Sequence, residues 1–227
     1  MMTPQEDRGR KGLYALGGIS FIASGVLFLV KSVLELMAGP PPSTGAEILV
    51  WMASRELLLA WTSEVLFFAV MFMVPAVVAL YQSLAPTHQA SAATGCGIMA
   101  VTIAVYSMLL TVHGRIAFPV YGIHVRTPEI AEFVVAIYYA GVHVVLLLLA
   151  VATFALSLAM WGGAFGRGVA GLGFATSAFD LVASYPWAIG PVLGLVSGIF
   201  FAAWFAAVGF RLYRMPAEPA LNARHAP

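Results

Sequence analysis

The chain has 227 residues, of which 61% are hydrophobic and 9% are charged, with a formal net charge of +1. Soluble domains carry roughly 25% charged residues, so this composition excludes an ordinary soluble domain and indicates a multi-pass membrane protein. The near-neutral charge gives no support to nucleic-acid binding, and the single cysteine, Cys96, excludes a disulfide framework within the chain.

The first apolar segment follows a short basic stretch. Arg8, Arg10 and Lys11 precede it, as in the charged region of a signal peptide. The apolar run is longer than a signal-peptide core and has no clear small-residue cleavage site. We therefore predict a retained first span, preceded by a cytoplasmic segment of residues 1–12.

Six apolar segments are long enough to cross a hydrocarbon core of about 30 Å, which needs roughly 20 helical residues. They cover residues 13–37, 57–84, 92–119, 130–161, 169–185 and 189–213. The predicted fold class is an all-α membrane protein in which residues 13–214 form a six-transmembrane-helix bundle. Residues 215–227 have no apolar periodicity and are predicted to be a disordered cytoplasmic tail.

The connection between the first two spans predicts a short interfacial helix. Three prolines, at positions 40–42, end the first helix, and Thr44 with Glu47 has the spacing of a capping box. The apolar residues that follow predict a helix that lies at the interface and covers the outer mouth of the bundle. Thr127, Pro128 and Glu129 likewise predict that the fourth helix starts outside the membrane.

Basic residues between the spans predict the orientation. An even number of spans puts both termini on one side, which then carries most of the arginines and lysines. By the positive-inside rule both termini are cytoplasmic. The basic residues on that side are Arg8, Arg10, Lys11, Arg167, Arg211, Arg214 and Arg224, against Arg55 and Arg126 opposite.

Ionisable residues within the apolar segments predict a functional site, because charged groups in hydrocarbon are costly and rare. With a rise of about 1.5 Å per residue, most come out roughly 7 to 10 Å below the outer interface, and His143 lies one to two turns deeper. Tyr106 and Tyr139 share helix faces with His113 and His143. The predicted ligand-binding residues are Lys31, Glu64, Tyr106, His113, Tyr139, His143 and Asp180.

The two carboxylates at similar depth, Glu64 and Asp180, compete for Lys31 in this prediction. Lys31 can pair strongly with only one, so we expect the other to stay neutral and to serve as a proton donor or a ligand contact. Glu35 and Arg115 add one charge of each sign to this layer, unless their side chains snorkel to the interface. A salt-bridge network that only sets the helix register is the structural alternative.

Other chemistries have weaker support. His113, His143, Glu64 and Asp180 are ligand types that zinc or iron accepts, but no close-spaced ligand motif is present, so no metal and no cofactor is predicted. A Ser197–His143 dyad lacks the nucleophile-elbow pattern. The sixth helix carries a small residue at every fourth position, a ridge for close helix packing or for a homo-oligomer. These residues are Gly190, Gly194, Gly198, Ala202 and Ala206.

The chain resembles the small six-helix bacterial integral membrane proteins grouped as a domain of unknown function. The resemblance rests on the basic start before residues 16–20 (LGGIS), on Glu64 early in the second span, and on residues 166–173 (GRGVAGLG) at the start of the fifth. It implies a bacterial plasma-membrane location and no particular catalytic residues.

Three functions are compatible with this sequence. The first is an outward-facing intramembrane pocket that binds a small or lipid-like molecule. The second is an acid–base enzyme of cyclase or isomerase type acting on a lipid or isoprenoid, with Glu64 or Asp180 as the acid and His113 or His143 as the base. The third is an accessory membrane subunit. The expected partners are the lipid bilayer and the ligand.

Overall fold

The structure is a computed structural model that describes residues 4–215, and it is all-helical across them. The helices are α1 (Pro4–Ala38), α2 (Gly45–Ser54), α3 (Glu56–Ala117), α4 (Pro128–Met160), α5 (Arg167–Ala183) and α6 (Pro186–Tyr213). Because α1 begins at Pro4, residues 4–12 of the predicted N-terminal segment belong to the first helix. The predicted tail lies outside the described residues, apart from Met215.

Helix α3 is a hairpin of two antiparallel halves. Its helical pattern runs through 62 residues but is broken at His88, whose φ of −139° and ψ of 52° are not helical. Leu59 and Ile116 line the same small cavity, whereas a straight helix would separate them by about 85 Å. Pro86 cannot pair with the carbonyl of Gln82, and this carbonyl accepts a hydrogen bond from the Tyr14 hydroxyl at 3.5 Å instead.

Four of these helices are long and apolar enough to cross a membrane, not the six spans that were predicted. They are Arg8–Ala38, Glu56–Ala117, Pro128–Met160 and Pro186–Tyr213. Two predicted spans, 57–84 and 92–119, lie in the single helix α3. The predicted fifth span corresponds to α5, which has 17 residues and falls short of the roughly 20 that a bilayer needs. The helical membrane-protein class is confirmed in this coarser form.

The helices form a closed ring. Helix α1 packs on α3 and α6, α6 packs on α5, α5 on α4, and α4 on α3. The short helix α2 lies against α3 and α4 at one end of the ring, which we call the α2 end. Since five elements close the ring, their inward faces surround a central space.

Aromatic side chains fill the ring away from the α2 end. Phe21 and Phe205 meet edge to face at 4.9 Å between ring centroids, and Phe28 and Phe201 do so at 5.3 Å. Trp204, which stacks on Phe205, is fully buried. This packed region closes the central space on the side opposite α2.

Small residues bring α1 and α6 into backbone contact. The Gly18 carbonyl lies against Gly209, and a Cβ atom at Gly209 would be 2.5 Å from that oxygen. Farther along, Gly25 packs against Ala202, and Gly198 packs against Ser32. Two residues of the predicted small-residue ridge of the sixth helix, Gly198 and Ala202, therefore lie against α1 of the same chain, while a Cβ atom at Gly190 or Gly194 would meet no neighbouring atom within 4 Å.

Candidate functional site

A cavity of about 590 Å³ occupies the centre of the ring. Its floor is formed by Phe28, Leu149 and Phe201, and it extends to the loop at Pro40 and to Trp187 in the first turn of α6. Most of the wall is apolar, and all five helices of the ring contribute to it. Its polar lining residues are Lys31, Ser32, Glu35, Tyr106, Tyr139, Asp180 and Ser197.

Lys31 pairs with Glu35, one helical turn away on α1, and not with Glu64 or Asp180 as predicted. The Lys31 Nζ lies 2.8 Å from the Glu35 carboxylate. The i, i+4 spacing places the two side chains on one face of the helix. Tyr138 of α4 donates a hydrogen bond to the other Glu35 oxygen at 3.2 Å. The ion pair itself lies within one helix, and the Tyr138 hydrogen bond joins it to α4.

Asp180 is the most deeply buried acid among the described residues, with 1% of its surface exposed. Its Oδ1 accepts a hydrogen bond from the Ser197 hydroxyl of α6 at 2.6 Å. Its Oδ2 has no hydrogen-bond partner among the described residues. Asp180 and Ser197 both line the cavity, so this half-satisfied carboxyl group lies in the cavity wall.

His143 does not line the cavity and lies level with the end of α5. Its Nδ1 lies 2.6 Å from the carbonyl oxygen of Ser184, the residue that ends α5. A carbonyl oxygen can only accept, so Nδ1 carries the proton. Tyr185 and Trp187 pack on its ring at 4.9 and 5.4 Å. Ser197 bonds to Asp180, so the structure does not bring together a Ser197–His143 dyad.

His113 lies beside a second, smaller cavity of about 20 Å³, which is room for about one water molecule. Tyr138 packs on its ring at 4.8 Å, and its buried Nδ1 has no partner within the described part of the chain. Glu35 and Tyr139 line both cavities, which are therefore adjacent. His113 is thus one layer behind the wall of the large cavity.

Helix α2 covers this smaller cavity. Its Trp51 lines the space and donates its indole N–H to the carbonyl of Ala38 at 3.1 Å. The predicted short helix is confirmed, but its first backbone N–H, that of Gly45, is capped by Glu132 of α4 at 2.6 Å. Thr44 bonds to the Glu47 side chain instead. The large cavity is bordered by the proline loop rather than by α2.

Glu64 lies on the outside of the bundle. Its side chain is exposed, and its neighbours one turn away, Trp61, Phe67 and Phe68, are exposed as well. The structure therefore does not bring Glu64 to either cavity, contrary to the prediction that it faces the bundle interior.

Helix α6 is broken where it borders the cavity. Gly190 has a φ of 74°, which favours glycine, and Pro191 follows without a backbone N–H. Irregular backbone at membrane depth is tolerated where it lines a cavity, and both residues line this one. The sequence alone indicates only a packing role for Gly190.

Sequence reasoning missed three contributors to this site. The Lys31–Glu35 pair had a visible signal in its i, i+4 spacing. The approach of Ser197 to Asp180 had none, because these residues lie on different helices. Tyr138 was not singled out, although it touches both Glu35 and His113.

The described residues include no group of three or more His, Cys, Asp or Glu side chains placed to hold a metal ion. Comparisons of the chain with protein-family models, with curated proteins and with solved structures gave no match. The resemblance to the six-helix bacterial membrane proteins stays a prediction.

Proposed function

We propose that the chain crosses the bacterial plasma membrane six times, with both termini in the cytoplasm and the α2 end outside. In this topology α3 crosses twice, turning at His88, and the short α5 crosses with its flanking residues. The antiparallel halves of α3 support this topology. Large apolar side chains on the outside of the bundle support it too, among them Leu16, Phe133 and Phe154.

The function that the geometry supports best is binding of a small or lipid-like molecule in the central cavity. The observation that carries it is the 590 Å³ volume with a mostly apolar wall and a few convergent polar groups. Ligand sites typically have about 300 to 1,000 Å³ and this kind of lining. Lys31, Tyr106, Tyr139 and Asp180 are the predicted residues that would contact the ligand.

Filling the cavity tests this function. Gly194 lines the cavity, and a Cβ there meets no heavy atom within 4 Å, so Gly194→Leu places its side chain in open space. Gly97→Leu is the matched control, because Gly97 also has no atom within 4 Å but is exposed on α3. Native mass spectrometry of protein released from nanodiscs should show a bound small molecule in the wild type and in Gly97→Leu, and not in Gly194→Leu. A mass equal to that of the bare chain in all three would contradict the proposal.

The enzyme alternative has only part of its machinery at the cavity. Of the four candidate catalytic residues, Asp180 lines it, while His113, His143 and Glu64 do not. An acid acting on a lipid or isoprenoid is available in Asp180, but neither histidine is placed to act as its base. Ligand binding is for this reason the leading proposal.

One observation favours an accessory role as a second candidate function. Glu64 is exposed among apolar side chains, and a carboxyl group in contact with lipid is costly. A partner helix with a hydrogen-bond donor at that level would relieve the cost. Blue-native electrophoresis of gently solubilised membranes tests it: a larger complex that is lost in Glu64→Leu and kept in Glu64→Gln supports this role.

A further inference from the structure

The charged residues that line the large cavity are one cation and two acids, so one acid is left without a counter-charge. Lys31, Glu35 and Asp180 are its charged lining residues; α3 and α4 contribute only the tyrosines Tyr106 and Tyr139 to its titratable lining, and α6 contributes none. The Lys31 ammonium is 2.8 Å from Glu35. Asp180 is therefore the acid that has no cationic partner within 4 Å among the described residues.

The hydrogen bonds of Asp180 are incomplete in the same place. Ser197 satisfies Oδ1, while Oδ2 is buried without a partner in the described part of the chain. An unpaired buried oxygen of a charged group costs more than an ordinary unmade hydrogen bond. The terminal torsion of an aspartate has a broad minimum, so the carboxyl group can reorient within the cavity wall of which it is part.

The walls around Asp180 are suited to an apolar body. Phe28, Leu146 and Phe201 line the cavity with it, and Tyr106 and Trp187 present aromatic rings. Aromatic faces attract a cation as well as an alkyl chain. The same cavity thus offers one unbalanced acid and a large apolar surface.

We propose that the cavity takes a lipophilic amine, whose single protonated amino group binds Asp180 and whose apolar body packs against Phe28 and Phe201. This inference rests on the proposed function, ligand binding in the cavity. The ammonium group supplies the donor that Oδ2 lacks and neutralises the carboxylate. A neutral lipid would leave the acid without a counter-charge, and a fatty acid would add a second negative charge.

Three probes with the same ten-carbon chain test the proposal: decylamine, decanol and decanoate. Their affinities are measured from the shift in melting temperature of the protein in zwitterionic nanodiscs. Each probe enters the bilayer equally in wild type and variant, so comparing the two removes the effect of partitioning. Asp180→Asn keeps the oxygen that accepts from Ser197 and removes the charge. Glu64→Gln makes the same change of acid to amide on the outside of the bundle.

We expect the wild type and Glu64→Gln to bind decylamine at least about 10-fold more tightly than decanol, the lower end of what a charged hydrogen bond contributes. Asp180→Asn should lose this preference, and measurable binding of decanol by this variant shows that it is folded. Ser197→Ala, which keeps the carboxylate, should keep the preference.

Equal affinities of the wild type for the three probes, or an amine preference that survives in Asp180→Asn, would overturn the inference and leave ligand binding intact. The proposed function itself fails if two results are found together: none of the three probes binds the wild type, and native mass spectrometry shows the same bound molecule on Gly194→Leu as on the wild type.

Discussion

Gly209→Ala tests the backbone contact that holds α1 against α6, two walls of the central cavity. A Cβ atom at residue 209 would lie 2.5 Å from the carbonyl oxygen of Gly18, 2.9 Å from Cγ1 of Ile22 and 3.0 Å from Cβ of Phe21. The oxygen belongs to the backbone of a helix, so it cannot move away alone. The added methyl group must therefore push the two helices apart.

Overpacking of this kind costs about 1 to 3 kcal/mol of stability. Alanine is the better helix former by about 1 kcal/mol, which offsets part of the cost. The net loss is then up to about 2 kcal/mol, which for a chain of this length lowers the melting temperature by up to about 8 °C.

The assay is thermal unfolding of the detergent-solubilised protein, followed by intrinsic fluorescence. Gly97→Ala is the control, because a Cβ there meets no heavy atom within 4 Å, and its melting temperature should stay unchanged or rise slightly. If Gly209→Ala melts at as high a temperature as Gly97→Ala, the added methyl group meets no obstacle, and α1 and α6 are not in backbone contact at Gly18.

Two further predictions concern orientation and the charged pair. In a Cys96→Ser background, a membrane-impermeant maleimide added to intact cells should label cysteine introduced at Ser54 and miss cysteine at Thr87; the reverse pattern would put the cavity mouth in the cytoplasm. Glu35→Ala leaves the Lys31 ammonium without its acid at a residue that is 9% exposed and should cost up to about 3 kcal/mol. Lys31→Met should cost less stability, because the Glu35 side chain is 35% exposed and stays near water. In urea denaturation, the double variant Glu35→Ala/Lys31→Met should regain part of the stability that Glu35→Ala loses. Equal losses in the two single variants, with no recovery in the double variant, would contradict this account of the ion pair.

Local features of the sequence predict several of the helix boundaries well. Thr127 and Pro128 predict the start of α4, which begins at Pro128, because a proline fits the first helical turn. The three prolines at positions 40–42 and the Thr44–Glu47 spacing predict a short helix, which the structure has at Gly45–Ser54. These signals act within a few residues, so they can be read without knowing the neighbours.

The ionisable residues show what local sequence patterns do not determine. A helical period says which residues share a face, but not which face turns inward. Lys31 and Asp180 point into the ring, whereas Glu64 points outward, and the difference comes from how α3 packs on α1 and α4. The position of His143 depends on packing for a related reason: α4 is 33 residues long, longer than a bilayer needs, so its length does not set its register against α5.

By itself the sequence determined the membrane class, the helical content and most of the polar residues at the site, because long apolar runs and rare intramembrane charges are properties of the chain alone. Only the tertiary structure decided that Lys31 pairs with Glu35, that Ser197 reaches Asp180, and that one carboxyl oxygen stays without a partner. The physical reason is that the ring brings residues distant in sequence to within hydrogen-bond distance through small-residue contacts such as Gly18 with Gly209, and no local pattern encodes which helices will meet.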